Sequence, residues 1–242
     1  MDRKDRNAQY SRALMELRSL ILSGAFEAGP RLAETALAAR LNLSRTPLRK
    51  AMDRLVDEGL LERIETGGCR VAQFSFADII DAIELRGVLE GTAARLAAER
   101  GMVPELGKRM ERVLEALDRT FLPERLDFEA YVRLNREFHD ILSQLAGSTI
   151  VGREVSRANR LPAASPTAFM QGQELIPDFQ ASLRRAQVQH RAIFESIKNR
   201  EGARAEALAR EHARLARNNL EYIMNEKPSL AEQVPGLALV LN

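Results

Sequence analysis

Apolar side chains along this chain recur mostly three or four positions apart, and the rhythm breaks at glycine or proline. Tyr10, Leu14, Leu17, Leu20, Ile21 and Leu22 predict a helix over residues 8–23, ended by Gly24. Ala28-Gly29-Pro30 reads as a turn, followed by a short helix from Glu34 to Arg40 with Leu37 and Ala38 inward. Leu41-Asn42-Leu43 has room only for a turn, and Asn42 is one of the few residue types that tolerate a positive φ there. Ser44 is a good N-cap, Pro47 suits a first helical turn, and Leu48, Met52, Leu55 and Val56 continue at helical spacing. The order is helix, turn, helix. After Gly59 the period shortens: Leu60–Glu65 and Cys69–Phe74 alternate as strands around Thr66-Gly67-Gly68, which predicts a small hairpin wing.

From Ser75 onward long helical patterns take over. The first runs to about Arg100, with Ile79, Ile80, Ile83, Leu85, Leu89 and Leu96 on its buried side and Gly101 as its stop. Pro104 opens a second, to about Phe121, and Pro123 breaks the chain. Further helices are expected over 128–145, 149–161, 177–199 and 201–224, with an irregular loop over 162–172. Val234–Leu241 is apolar enough to pack, with no partner indicated. The expected fold is mainly α: a winged helix-turn-helix over residues 1–74 and an all-helical bundle over 75–242.

Composition narrows the picture in a few places. At 242 residues and 45% apolar content the chain supports two cores, and scarce aromatics with no Trp favour helix on helix. No apolar run is long enough to cross a bilayer, and Met1–Arg6 lacks the apolar core of a secretion signal, so a cytoplasmic protein with no membrane partner is expected. Cys69 is the only cysteine, which excludes an internal disulfide and a cysteine-based zinc site; it reads as a small filler in a strand. The net charge is only +2, yet residues 1–74 hold 13 Lys+Arg against 10 Asp+Glu and the remainder 23 against 24. That small excess agrees with a nucleic-acid partner without identifying one.

The third helix carries the first candidate chemistry. Arg45, Arg49, Lys50 and Arg54 are expected on its solvent side, beside the hydroxyls of Ser44 and Thr46, at the helix end whose backbone N–H groups favour a phosphate. Such a helix fits a major groove, and Gly67 and Gly68 at the wing tip suit close approach to the sugar-phosphate backbone or the minor groove. An ordinary solvated basic face is the alternative, weakened by the helix-turn-helix and wing around it.

The second candidate chemistry is the chain's three histidines, His139, His190 and His212, all on predicted helices of the bundle. Asn135 precedes His139 by one helical turn, so one face carries both, and the last two long helices can turn His190 and His212 toward it. Three imidazoles in one internal site would hold a divalent transition metal and leave positions open. Hydrogen-bonded core histidines, or a metal-free effector site, are the alternatives. Arg86 and Glu90 lie one turn apart: an exposed ion pair worth about 0.3–0.5 kcal/mol, or an effector-binding pair in which Arg86 grips an acid group. No P-loop, dinucleotide fingerprint or nucleophile elbow occurs, which leaves a metal-dependent enzyme acting on a small organic acid as the alternative to a binding protein.

These residues carry a family likeness. Pro30–Thr35, Leu41–Ala51 and Asp57–Leu61 resemble the winged helix-turn-helix of GntR-type bacterial transcription regulators, while Glu84–Glu90, Asn135–His139 and the later histidines resemble the FCD effector domain of the FadR-like branch. The resemblance implies that Ser44, Arg45, Thr46, Arg49 and Lys50 meet double-stranded operator DNA, with Gly67 and Gly68 near the minor groove. Thr35 stands where some members use an arginine, and Asn42 where the family usually has glycine. The FCD likeness further implies zinc or nickel held by an Asp-x-x-x-His pair and two more histidines; Asn135 replaces that Asp, a weaker and neutral ligand beside His139, His190 and His212. A carboxylate effector then becomes a favoured missing ligand. Arg86–Gly91 and Leu161–Pro166 resemble regulators of vanillate breakdown, which suggests an aromatic acid near Phe138 and Phe169. One helix reads few base pairs, so a homodimeric repressor on a palindromic operator, released by ligand, is expected.

Overall fold

The computed structural model describes residues 3–26, 29–121, 126–159, 161, 165–166, 177–226 and 240–241. Glycine punctuation sets many of its boundaries: Gly24, Gly59 and Gly101 follow helix ends at φ 72°, 72° and 97°, a region closed to most side chains. The chain divides into two compact units: the first holds the chain up to Ile79 together with Leu161 and Val240–Leu241, the second the rest of the described residues.

In the first unit, α1 (Arg3–Leu22) packs on α3 (Arg45–Asp57), with α2 (Glu34–Arg40) against α3. Leu17, Ile21, Leu48, Met52 and Leu55 meet in one core. The turn between α2 and α3 is made by Asn42 at φ 49°, the conformation its side chain is suited to accept. The wing is broader than the sequence pattern suggests. β2 (Leu61–Arg63) and β3 (Cys69–Val71) pair antiparallel, and β3 also pairs with β1 (Arg31–Leu32), giving the order β1-β3-β2. Two residues are too few to show alternation, which is why β1 leaves no sequence signal. Cys69 sits buried on β3 opposite Leu32 and Arg63, the filler role expected of it, and burial pushes its thiol pKa up. β4 (Phe74–Ser75) pairs parallel with β5 (Val240–Leu241), which gives the end of the apolar tail a place.

The second unit is a helical bundle: α4 (Phe76–Arg100, which starts in the first unit), α5 (Pro104–Asp118), α6 (Phe128–Leu142), α7 (Thr149–Ala158), α8 (Pro177–Lys198) and α9 (Gly202–Glu226). Local chemistry starts these helices. Ser75 and Asp78 exchange hydrogen bonds ahead of α4, and Asp127 and Ser148 accept from Ala130 N and Val151 N at the starts of α6 and α7. α8 packs along α9, and α5 on α6 and α8, around Met110, Leu114, Leu134, Ile141 and Ile193. None of the described helices is long and apolar enough to cross a membrane.

α4 corrects the expected buried stripe. Ile79 and Ile83 face inward as expected, but Leu85 is 48% exposed and Ile80, Leu89 and Leu96 are only partly buried; Val88 beside them is 39% exposed, and the buried line continues through Arg86, Gly87, Glu90, Gly91, Ala93, Ala94, Ala97 and Ala98. Small residues win those positions because α9 lies so close. A Cβ on Gly87 would stand 2.8 Å from that of Ala213, and one on Gly91 3.0 Å from the Glu206 carbonyl oxygen. The expected break at Pro123, Phe169 and, apart from Ser165 and Pro166, the loop over 162–172 lie outside the described residues.

Candidate functional site

The N-terminal end of α3 presents Ser44, Arg45, Thr46, Arg49 and Lys50, all exposed, while Pro47 and Leu48 are buried and fix the helix to its core. Ser44 occupies the N-cap with extended backbone (φ −73°, ψ 156°), but its hydroxyl makes no capping bond and points its chemistry outward. Acidic neighbours decide which cations are committed. Arg49 Nε lies 2.6 Å from Glu34 Oε2. Arg54 is a correction: Glu58, only 5% exposed, takes Arg54 at 3.0 Å and Arg18 of α1 at 2.7 Å, so Arg54 helps fasten α1 to α3 rather than standing free on the basic face. Gly67 and Gly68 hold φ 85° and 93° at the wing tip. The space beside Gly67 is open, but a Cβ on Gly68 would meet Arg31 Nε at 3.0 Å, so the crowding at Gly68 comes from within the head. Thr35 is exposed in the first turn of α2.

The bundle brings His139 of α6, His190 of α8 and His212 of α9 together. All three are buried, and one ring nitrogen from each lies within 4.8 Å of the others. Hydrogen bonds at the far side of each ring settle which nitrogen that is. His190 Nδ1 is 3.1 Å from Gln187 Oε1; the Gln187 amide nitrogen donates to Asp118 Oδ1 at 2.7 Å and to the Leu114 carbonyl at 3.2 Å, which fixes the amide so that its oxygen faces the ring. His190 therefore donates from Nδ1. His212 Nδ1 donates to Gln189 Oε1 at 3.1 Å, and His139 Nδ1 to Glu90 Oε1 at 2.8 Å. In each neutral ring the lone pair is then on Nε2.

With those tautomers the lone pairs converge. His190 Nε2 and His212 Nε2 stand 3.0 Å apart. Protonation is strongly opposed there: burial, then the neighbouring His212 and His139, push the His190 pKa well below its usual value, and burial and His139 bring His212 down to about 3 against a smaller lift from Glu90. Two lone pairs facing at that distance repel unless a proton or a metal ion is shared between them. Neutral imidazoles with their second nitrogen anchored to an oxygen are the arrangement a borderline divalent transition ion selects, so the donor set fits such an ion.

A cavity of about 50 Å³ adjoins the donors, lined among others by Arg86, Tyr131, Asn135, His139, Ser182 and His212. Asn135 lies one turn before His139, 4% exposed, and its amide nitrogen donates to the Pro166 carbonyl at 3.3 Å. Arg86 and Glu90 are 2% and 1% exposed, which removes the surface ion-pair reading; Arg86 Nε and Glu90 Oε2 are 3.8 Å apart. Only Arg86 lines the cavity. Glu90, expected at the effector with Arg86, does not line the cavity; its Oε1 is bonded to His139 instead. Burial pushes that carboxyl up, but His139, Arg86 and His212 outweigh it and hold it at about 2. Phe138, expected near an aromatic ligand, instead lays its ring on His190 at 4.1 Å between centroids. Gln187 and Gln189 went unread in the sequence. The spacing of Gln187 from His190, one turn on the same helix, was a usable signal; the pairing of Gln189 with a ring on another helix was not.

Comparison with known proteins gives the family and the fold. The FCD domain profile matches residues 81–215, and that of bacterial regulatory proteins of the gntR family matches residues 9–71. YdhC of Bacillus subtilis (strain 168), an uncharacterized HTH-type transcriptional regulator, is 28% identical over 221 residues, covering 90% of this chain and 93% of its own. The HTH-type transcriptional repressor RspR of Escherichia coli (strain K12) is 25% identical over 199 residues, 82% of each chain. Among solved structures, E. coli McbR/YncC superposes with a TM-score of 0.61 at 19% identity over 90% of this chain and 98% of its own, a likeness of fold.

Proposed function

Starting from its membership of the GntR family of bacterial regulatory proteins, in the branch that carries an FCD domain, this chain is a transcriptional regulator, and we propose that it is a homodimeric repressor whose hold on a palindromic operator answers to a divalent transition ion and a small carboxylate. Residues 1–74 read DNA through Ser44, Arg45, Thr46, Arg49 and Lys50, with Gly67 and Gly68 at the wing; residues 75–242 sense the ligand. The observation that carries the sensing half is the 3.0 Å approach of His190 Nε2 and His212 Nε2, with an amide oxygen 3.1 Å behind each ring at Nδ1.

The ion, zinc or nickel by its imidazole donors, would be held by His139, His190 and His212, with Asn135 beside them. When bound it would supply positive charge at the cavity wall, where an acid group would be drawn to it while Arg86 would grip that acid with a forked guanidinium. The cavity's 50 Å³ is about a third of a ~150 Å³ cavity that takes up benzene, which favours a short organic acid over an aromatic one such as vanillate. A second copy of the chain is supported by Leu85 and Val88, one turn apart and exposed on α4. An enzymatic role is less well served: the carboxylate nearest the donors, Glu90, is tied to His139 and has no path as a general base.

Fluorescence anisotropy with DNA from upstream of its own gene tests the reading, using chelator-stripped and Zn²⁺-loaded protein with and without short carboxylates. Affinity should fall steeply between 50 and 200 mM salt, on the order of 10³-fold for several phosphate contacts, and Arg45→Ala should lose about 1–3 kcal/mol of discrimination between operator and scrambled DNA. Salt-independent binding would overturn the DNA reading; affinity unmoved by metal and every acid would overturn the sensing.

A further inference from the structure

The three imidazoles are not held alike. Gln187 and Gln189 anchor His190 and His212 with neutral amide oxygens, whereas His139 is anchored by the carboxylate of Glu90 at 2.8 Å. Glu90 reaches His139 from another helix, α4 to α6, and both are almost completely buried. Its two oxygens divide the work. Oε1 accepts the Nδ1–H of His139, and Oε2 makes no hydrogen bond and lies 3.8 Å from Arg86 Nε.

We infer that Glu90 is a positioning residue for the ion, supplying through His139 the negative charge that none of the donor atoms carries; this rests on the metal reading above. Three neutral imidazoles around a dication leave its charge uncompensated in a buried place, and the Asn135 amide adds none. A carboxylate behind one imidazole fixes the tautomer and the ring plane and raises the donor strength of Nε2, at a point where an amide would do only the first two. Glu90 is not itself a ligand, because Oε1 is committed to the Nδ1 side of the ring, opposite the lone pair, and Oε2 is on the side of Arg86. Arg86, 3.8 Å from Oε2, acts on Glu90 as a neighbouring charge that keeps the carboxylate ionised, so one side chain bears on both the acid-binding cavity and the ion.

Titration of Co²⁺ alone into chelator-stripped full-length protein, followed by its visible absorption, decides the matter. Glu90→Gln keeps an oxygen acceptor for His139 and removes the charge; it should weaken Co²⁺ binding about 10–100-fold while the spectrum at saturation stays that of the wild type. The double variant Glu90→Gln with Arg86→Gln removes both buried charges together, relieving any folding defect caused by leaving Arg86 without its carboxylate, and should bind Co²⁺ as weakly as the single variant. Wild-type affinity in either variant overturns the proposal, since Glu90 would then serve only to balance Arg86. A changed spectrum at saturation overturns it by making Glu90 a ligand. Wild-type protein that is folded and binds no Co²⁺ defeats the metal reading itself, an outcome distinct from the other two.

Discussion

The DNA-reading head and the helical bundle handle polar side chains in opposite ways. In the head the residues proposed to read DNA, Ser44, Arg45, Thr46, Arg49 and Lys50, stand in solvent on a helix whose inner face is buried. In the bundle they are inside: Arg86, Glu90, Asn135, His139, His190 and His212 are all 7% exposed or less, and each is positioned by a partner that is itself part of the packing. Recognition in the head can therefore be altered without touching the fold, while in the bundle folding and binding are the same set of contacts. Substitutions that separate these two properties in the bundle, or couple them in the head, would break the contrast.

The largest effect is expected at Gly87. Its hydrogen faces α9, where even a Cβ would stand 2.8 Å from Ala213 Cβ, next in sequence to His212. Gly87→Leu forces α9 away from α4 and should cost about 3 kcal/mol or more, at or beyond the upper end for overpacked cores, in urea unfolding followed by circular dichroism. Co²⁺ binding should fail with it. Lys50→Leu on the head surface should leave the same unfolding curve within about 0.5 kcal/mol. A Gly87→Leu protein that melts like the wild type would mean that α4 and α9 are free to slide, and the donors would not depend on packing.

This contrast also explains what could be read from the sequence. The head was legible because its signals are local: the bounds of α2, the turn at Asn42 and the outward face of α3 each follow from neighbours a few positions away. β1 is too short to leave a pattern, and the pairing of Arg54, expected on the solvent side, with a buried Glu58 depends on Arg18 of another helix, which local spacing does not show. In the bundle the three histidines were visible as residues, but their meeting and their anchors are tertiary facts. The rotation of α4 shows why: Leu85, Leu89 and Leu96 look like a core stripe by periodicity, yet glycines 87 and 91 admit α9 on another face and carry Arg86 and Glu90 inside with it. Side-chain hydrophobicity points to the inside only when no closer approach competes.

A middle-sized effect follows from acid. The His212 pKa falls from its ordinary 6.5 to about 3 on folding, so the unfolded chain binds the proton that the folded one refuses. Stability from this group is complete above pH 6.5 and declines as pH drops from there toward 3, by about 2 kcal/mol at pH 5. Glu90, brought from 4.5 to about 2, acts in the same sense: its contribution is present above pH 4.5 and lost as pH falls through about 2. Urea midpoints of chelator-stripped protein should therefore hold steady from pH 8 to 7 and drop progressively at pH 6, 5 and 4. A midpoint that rises on acidification would show that the imidazoles are exposed to water and that the buried centre is not closed.

The smallest effect sharpens the other half of the contrast. Asn42 holds φ 49° in an exposed turn, bonded through its backbone to the Ala39 carbonyl, with the Leu43 N–H bonded to that of Ala38. Its side chain fills no core, so a substitution there tests backbone conformation almost alone. Asn42→Val puts a β-branched residue in the left-handed region and should cost about 1–2 kcal/mol in the unfolding of the head, whereas Asn42→Gly, free of that strain but looser when unfolded, should stay within about 0.5 kcal/mol. At 25 °C, where the loss still leaves the head folded, operator affinity of both variants should match the wild type, because α3 is seated by Pro47, Leu48, Met52 and Leu55 and not by the turn that precedes it. Weaker operator binding by Asn42→Val protein with unaltered circular dichroism would mean that the turn itself aims the helix, and the separation of reading from folding in the head would no longer hold.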